Sequence, residues 1–114
     1  SVADLEHLVP CDYVGIVSGN KEPDKMEKAG FTTTKSKFVN APVINELPLT
    51  LECVLTQVID GSKYLGEIKN VSIDEKILGE DGDIVPITYD AAHYGYYRLG
   101  EKVGTAFKDG AQLK

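Results

Sequence analysis

The clearest pattern along the chain runs from Pro48 to Ile59, where apolar residues alternate with polar ones and set Leu49, Leu51, Cys53, Leu55 and Ile59 on one side. Period-two alternation predicts a strand with one buried face. Asp60-Gly61-Ser62 has hairpin-turn chemistry, and Lys63 to Ile73 follows as a second strand. Strict alternation in that strand sets Leu65, Val71 and Ile73 on one face and Tyr64, Gly66 and Ile68 on the other. A long antiparallel hairpin is therefore expected in the middle of the sequence.

Helical spacing dominates before it. Ser1-Val2-Ala3-Asp4 has the form of a capping box with Asp in place of Glu, which predicts a helix from the first residues. Leu5, Leu8 and Val9 continue its apolar stripe, Pro10 interrupts the turn or opens a second one, and Tyr13, Val14 and Val17 carry the stripe towards Gly19. Pro23 to Gly30 reads as a short helix with Pro near its start and Gly just past its end. Phe31 to Asn40 is polar, rich in Thr, Lys and Ser, and reads as an irregular connection. After the hairpin come one or two helical turns at Asp74 to Leu78, a surface loop at Gly79 to Asp83, and a short extended segment at Ile84 to Tyr89. The tail carries Tyr94, Tyr96 and Tyr97.

The 114 residues are one domain's worth of chain, 42% hydrophobic and 26% charged. A net charge of -6 opposes attraction to the phosphates of nucleic acid or an anionic membrane. Basic character gathers in one segment, Asn20 to Lys37, where five Lys face three acids. Two cysteines, Cys11 and Cys53, do not make a disulfide framework, and a reducing, cytoplasmic setting is expected. No stretch approaches the roughly 18 apolar residues that span a bilayer, and Ser1-Val2-Ala3-Asp4 lacks the basic and apolar regions of a signal peptide.

Few residues point to chemistry. Glu80-Asp81-Gly82-Asp83 lacks the alternate oxygen ligands and closing Glu of a calcium loop. His7 and His93 have no Cys or His at metal spacing, so no metal site is expected. Cys53, on the apolar strand face, is expected to behave as a small buried hydrophobe, and Cys11 has no adjacent base to activate it. Asn70-Val71-Ser72 has the form of a glycan acceptor but falls inside a predicted strand. Ser18-Gly19-Asn20-Lys21, between two helical pieces, combines a residue that permits close backbone approach with two polar donors and a positive charge. Those residue types suit either a ligand edge or a helix connector with Gly19 as the C-cap.

The order of short motifs adds to this. Asp12-Tyr13-Val14-Gly15-Ile16-Val17-Ser18-Gly19, Asp24-Lys25-Met26-Glu27-Lys28-Ala29-Gly30, Ala41-Pro42, Leu51-Glu52-Cys53, Gly66-Glu67-Ile68 and Tyr96-Tyr97-Arg98-Leu99-Gly100-Glu101 follow one another as in the flavin reductase-like family that includes the flavoredoxins. The chain resembles that family from about Leu5 to Gly110. The resemblance implies a mainly β fold with short helices, an FMN-binding split β-barrel whose first strands precede the matched region, so that residues 1–114 form a single domain corresponding to its C-terminal portion. It implies an FMN-binding oxidoreductase that passes electrons between a reduced nicotinamide, NADH or NADPH, or a protein donor and the flavin, acting as a homodimer. A non-catalytic flavin carrier, or a barrel used only in association, is the alternative.

The cofactor residues implied are Ser18, Gly19, Asn20 and Lys21, with Lys21 placed to stabilise negative charge on reduced flavin, and Phe107 in the tail. No residue is assigned as a catalytic acid, base or nucleophile. The chain departs from the family in having Gly61-Ser62-Lys63-Tyr64 where many relatives carry histidine, which removes one expected contact to flavin or nicotinamide.

Overall fold

A computed structural model describes residues 1–77, 87–106 and 108–113. Two helices, α1 (Leu8–Ile16) and α2 (Lys25–Lys28), precede six strands: β1 (Thr33–Lys35), β2 (Pro42–Ile44), β3 (Leu49–Ile59), β4 (Lys63–Ile73), β5 (Ile87–Asp90) and β6 (Gly95–Arg98). Single 3-10 turns occur at Glu75–Ile77 and Asp109–Leu113. The chain is mainly β with short helices, as expected. Its strands pair in sequence order as three antiparallel two-stranded sheets, and no closed barrel forms among the described residues.

The β3–β4 hairpin matches its prediction in position and turn. Asp60 and Gly61, the first two of the three residues between Ile59 and Lys63, both take positive φ, 51° and 65°, and Ser62 N–H donates to Ile59 O at 3.2 Å to close the turn. Its register does not alternate strictly. Lys69 and Thr56 are extra residues, because Glu52 pairs with Asn70 while Cys53 pairs with Ile68, and Leu55 pairs with Gly66 while Gln57 pairs with Leu65. Each extra residue reverses the side on which the following residues lie. Ile68 therefore joins Val71 and Ile73 opposite Cys53, Leu51 and Leu49, where simple alternation set it on the other face.

The expected burial of that face is reversed. Leu51, Cys53 and Leu55 are exposed, whereas Thr50 and Glu52 on the opposite side are buried. The alternation located the apolar stripe correctly, yet the segments that pack on the hairpin lie on its polar side. Ser1 Oγ meets Thr50 Oγ1 at 3.0 Å, and Val2 N–H donates to Leu49 O at 2.8 Å. Ser1 and Val2 are therefore extended beside β3, and α1 begins at Leu8, not at Ser1. Asp4 still acts near the helix start, accepting from His7 N–H at 2.9 Å and meeting His7 Nδ1 at 2.7 Å. Pro10 sits in the first turn, where its missing N–H has no helical acceptor to lose; the first turn-closing bond runs from Cys11 N–H to His7 O at 2.9 Å.

Phe31 to Asn40 is not irregular throughout: β1 pairs with β2 through Thr33–Ile44, Thr34–Val43 and Lys35–Pro42. All three residues of β1 are exposed, so neither face carried an apolar signal. Phe31 and Leu47, at 4% and 8% exposure, are the buried apolar residues among those described; Phe31 follows α2, donating its N–H to Met26 O at 2.8 Å, and its ring lies 6.2 Å from that of His7. Gly30 ends α2 at φ 76°, as its position just past the helix predicted. The surface loop at Gly79 to Asp83 lies outside the described residues, and of the segment Ile84 to Tyr89 only the part from Ile87 is described, as β5.

Candidate functional site

Ser18, Gly19, Asn20 and Lys21 form one exposed turn between α1 and α2. Its shape comes from the chain's own hydrogen bonds. Ser18 O accepts from Lys21 N–H and Glu22 N–H, both at 3.0 Å, and Ser18 Oγ accepts from Asn20 N–H at 3.3 Å. Gly19 does not cap α1: the cap is Val17 in an extended conformation, with its N–H donating to Tyr13 O. A Cβ on Gly19 would meet only Lys25 Cε, at 3.8 Å, so neither backbone angle nor internal packing demands glycine there.

Lys25 holds this turn in place, a role that residue type alone did not reveal. Its Nζ donates to Val14 O at 2.8 Å and Val17 O at 3.0 Å, reaching back from α2 to the C-terminal end of α1. A cation there satisfies carbonyls the helix leaves open and meets the negative end of its dipole. Lys28 is engaged as well, bonding the Glu22 and Asp24 carboxylates, whose bonds raise its ammonium pKa. The Lys21 ammonium has no ion-pair or hydrogen-bond partner among the described residues. Of the three lysines beside the turn, two are structural and one is presented outward.

Ser18, Asn20 and Lys21 thus lie in one exposed turn, which holds two polar side chains and a cation within four residues. That turn is not itself a deep pocket. A cavity of about 390 Å³ is lined by Val9, Pro10, Tyr13, Lys28 and Ala29, residues of α1, of α2 and of the position just after it. Phe107, the remaining expected cofactor residue, lies outside the described residues.

The groups whose titration the fold displaces lie elsewhere. Hydrogen bonds from Ser36 and Asn70 hold the Glu52 carboxyl below the usual carboxylate range, and Asn70 Nδ2 and Ser72 Oγ give Glu52 its strand-side partners. Asn70 therefore serves the buried polar face of the hairpin, which agrees with its place inside a strand. Thr32 lowers Glu46 through its side chain and its N–H, and His93 lowers Asp90. Burial pushes the Cys11 thiol up, with Asp4 adding to the effect, so this cysteine is not an activated nucleophile. Both cysteines are free. Tyr96 Oη donates to Asp12 Oδ1 at 2.7 Å and stacks at a tilt on Tyr89, tying β6 to α1; the carboxylate raises the phenol pKa. No group of three or more His, Cys, Asp or Glu among the described residues could hold a metal ion. Among the described residues no helix is long and apolar enough to cross a membrane.

No family model matches the chain. It is 35% identical over 72 residues to an uncharacterized protein of Aquifex aeolicus (strain VF5), a stretch that takes in 58% of this chain and 37% of that one. Against the flavoredoxin of Desulfovibrio vulgaris (Miyazaki F) it has a TM-score of 0.84 and 34% identity, over 96% of this chain and 62% of that one. The chain thus spans less than two thirds of the length of each of these proteins. With nearly all of its residues superposed at that level of identity, the chain has a flavoredoxin-like fold.

Proposed function

We propose that the chain is part of an FMN-binding oxidoreductase, with the Ser18–Lys21 turn as one edge of the flavin site. The observation that carries this reading is the likeness to a flavoredoxin over 96% of the chain at 34% identity. The turn fits the assignment in its donors, its exposure and its outward lysine. Flavin, when bound, supplies the hydride and electron chemistry. The chain's contribution is to position and to charge: Asn20 and Ser18 offer hydrogen bonds to the ring's polar rim, and Lys21 offers a cation where negative charge grows on reduction. A cation there favours the reduced form and raises the reduction potential.

The test is the visible absorption of the purified chain after incubation with FMN and desalting. A retained flavin band supports the reading; a colourless protein after saturation with FMN overturns it for this chain. A flavin carrier without turnover is the second reading. It is favoured by Gly61-Ser62-Lys63-Tyr64 standing where many relatives carry histidine, which removes one expected contact to flavin or nicotinamide. Saturable oxidation of NADH or NADPH by the FMN-loaded protein supports the oxidoreductase, and its absence with flavin retained supports the carrier.

A further inference from the structure

The basic segment of the sequence is only partly used by the turn at Ser18–Lys21. From Lys28 to Asn45 the chain holds no acid, although 18 of its 114 residues are Asp or Glu, and this stretch supplies Thr33, Lys35, Lys37 and Asn40 to the β1–β2 hairpin. The ladder runs beyond the two strands, with Asn45 N–H donating to Thr32 O at 3.1 Å and Ser36 N–H to Ala41 O at 3.0 Å. Alternation therefore holds from Thr32 to Ser36 and sorts the side chains by face. Thr32, Thr34 and Ser36 share one side, and Thr33 and Lys35 share the other.

The two sides differ in what they touch. On the first, the polar groups are already engaged. Thr32 Oγ1 donates to Glu46 Oε1 at 2.6 Å and accepts from Asn45 Nδ2 at 2.9 Å. Ser36 Oγ accepts from Phe38 N–H and Val39 N–H, both at 2.9 Å, and Ser36 is also a partner of the Glu52 carboxyl. Glu46 and Glu52, the carboxylates bonded to the hairpin among the described residues, thus meet it on that side. On the second, Thr33 and Lys35, with Asn40 from the turn, make no side-chain hydrogen bond or ion pair among the described residues. Together with Ala41 and Pro42 they line a hollow of about 290 Å³, and no acid lines it.

From these observations we infer that the hollow is an anion site and that its ligand is a phosphate group. Lys35 supplies a cation with three N–H donors, the Asn40 amide two more and the Thr33 hydroxyl one, so the lining offers donors in excess of acceptors to a tetrahedral oxyanion. A carboxylate, with two oxygens in one plane, would use fewer of them. Lys37, exposed and two residues along the chain, adds positive potential, which persists over a Debye length of about 8 Å. A net charge of -6 repels anions from the surface as a whole, so an anion held here is held by this local arrangement. The inference rests on the register and unspent donors of the hairpin, and stands whether or not the Ser18–Lys21 turn holds flavin. A phosphate group can arrive as inorganic phosphate or as the phosphate ester of FMN.

The experiment is titration of the isotope-labelled full chain with sodium phosphate, followed by amide proton–nitrogen NMR, with sodium chloride holding the ionic strength constant. Wild type is compared with Lys35→Met, Asn40→Ala and the control Lys63→Met, at the exposed start of β4. Neither lining side chain bonds another described residue, so both variants should keep wild-type dichroism. The expected result is saturable shifts of the Thr33, Lys35 and Asn40 amides, with affinity about fivefold weaker in Lys35→Met, weaker also in Asn40→Ala, and unchanged in Lys63→Met. Shifts that rise without saturating, shifts of equal size at Lys63, or a Lys35→Met protein that binds phosphate as wild type does overturn the inference. FMN and riboflavin, which differ by the phosphate alone, separate the two sources. Displacement of phosphate by FMN and not by riboflavin assigns the site to the ester, and displacement by neither assigns it to inorganic phosphate. Displacement by riboflavin as well overturns the inference, because the hollow would then be reading the ring. A chain that saturates with phosphate but takes up no flavin refutes only the functional reading, and one that binds flavin without saturable phosphate binding refutes only this one.

Discussion

Replacing Lys25 by Met separates the lysine that builds the turn from the lysine that faces outward. Lys25→Met keeps the aliphatic stem and removes the cation that bonds Val14 O and Val17 O at 2.8 and 3.0 Å. A hydrogen bond to a charged group contributes about 1.5–3 kcal/mol when its partners are buried. Here the bonds are only part-buried and the freed carbonyls can recruit water, so the two together, with the helix-end charge, are worth about 1–2 kcal/mol. At roughly 4 °C per kcal/mol for a domain of this size, the melting temperature should fall by roughly 4–8 °C.

Lys21→Met, which breaks no contact among the described residues, should stay within about 0.5 kcal/mol of wild type, or roughly 2 °C. Its effect belongs to the ligand: loss of one favourable charge contact, about 1 kcal/mol, weakens FMN binding roughly fivefold. Thermal melts by circular dichroism and FMN titration by fluorescence quenching give both numbers from one preparation. A Lys25→Met protein that melts with wild type refutes the capping argument. A Lys21→Met protein that loses stability but not affinity refutes the division of labour between the two lysines.

Gly19→Ala should leave stability unchanged or raise it by up to about 1 kcal/mol, because its backbone needs no positive φ; if the turn seats flavin, FMN affinity falls all the same, and unchanged affinity argues that nothing approaches closely there. Gly61→Ala, at φ 65°, should cost about 1 kcal/mol, read as a lower urea midpoint; no change would mean that the hairpin turn relaxes freely. Phe31→Ala, at one of the two buried apolar positions among the described residues, should cost about 3–5 kcal/mol and leave the chain largely unfolded at room temperature, visible as lost near-ultraviolet dichroism. Glu46, Glu52 and Asp90 all ionise below their ordinary range in the folded chain, so the stability they contribute is present above the unfolded carboxylate values, about 4, and drains away as pH falls through the folded ones. Urea midpoints should therefore be flat from pH 7 to 5 and drop below about 4; a Glu52→Gln variant should show a shallower acid limb, and an identical one would remove Glu52 from the account.

The sequence by itself determined what depends on neighbours along the chain. Asp60-Gly61 set the hairpin turn because those residues tolerate positive φ, Gly30 set the end of α2 for the same reason, and alternation from Leu49 onwards set β3. The order of short motifs pointed to the fold that the superposition bears out. Tertiary structure decided what depends on partners far away. Ser1 had the chemistry of a helix cap, but pairing with Thr50 and Leu49 drew the first residues into extended chain, and the helix began at Leu8. Alternation could say that Leu51 and Cys53 share a side with Leu55, but not that the chain would pack on the other side, around Thr50 and Glu52. Lys21 and Lys25 are alike as residues, four apart in one basic segment; only the return of α2 against the end of α1 made Lys25 a cap and left Lys21 outward. Local torsional preference is carried by each residue, whereas burial and partnership follow from which surfaces meet, and that is settled only once the chain has folded back on itself.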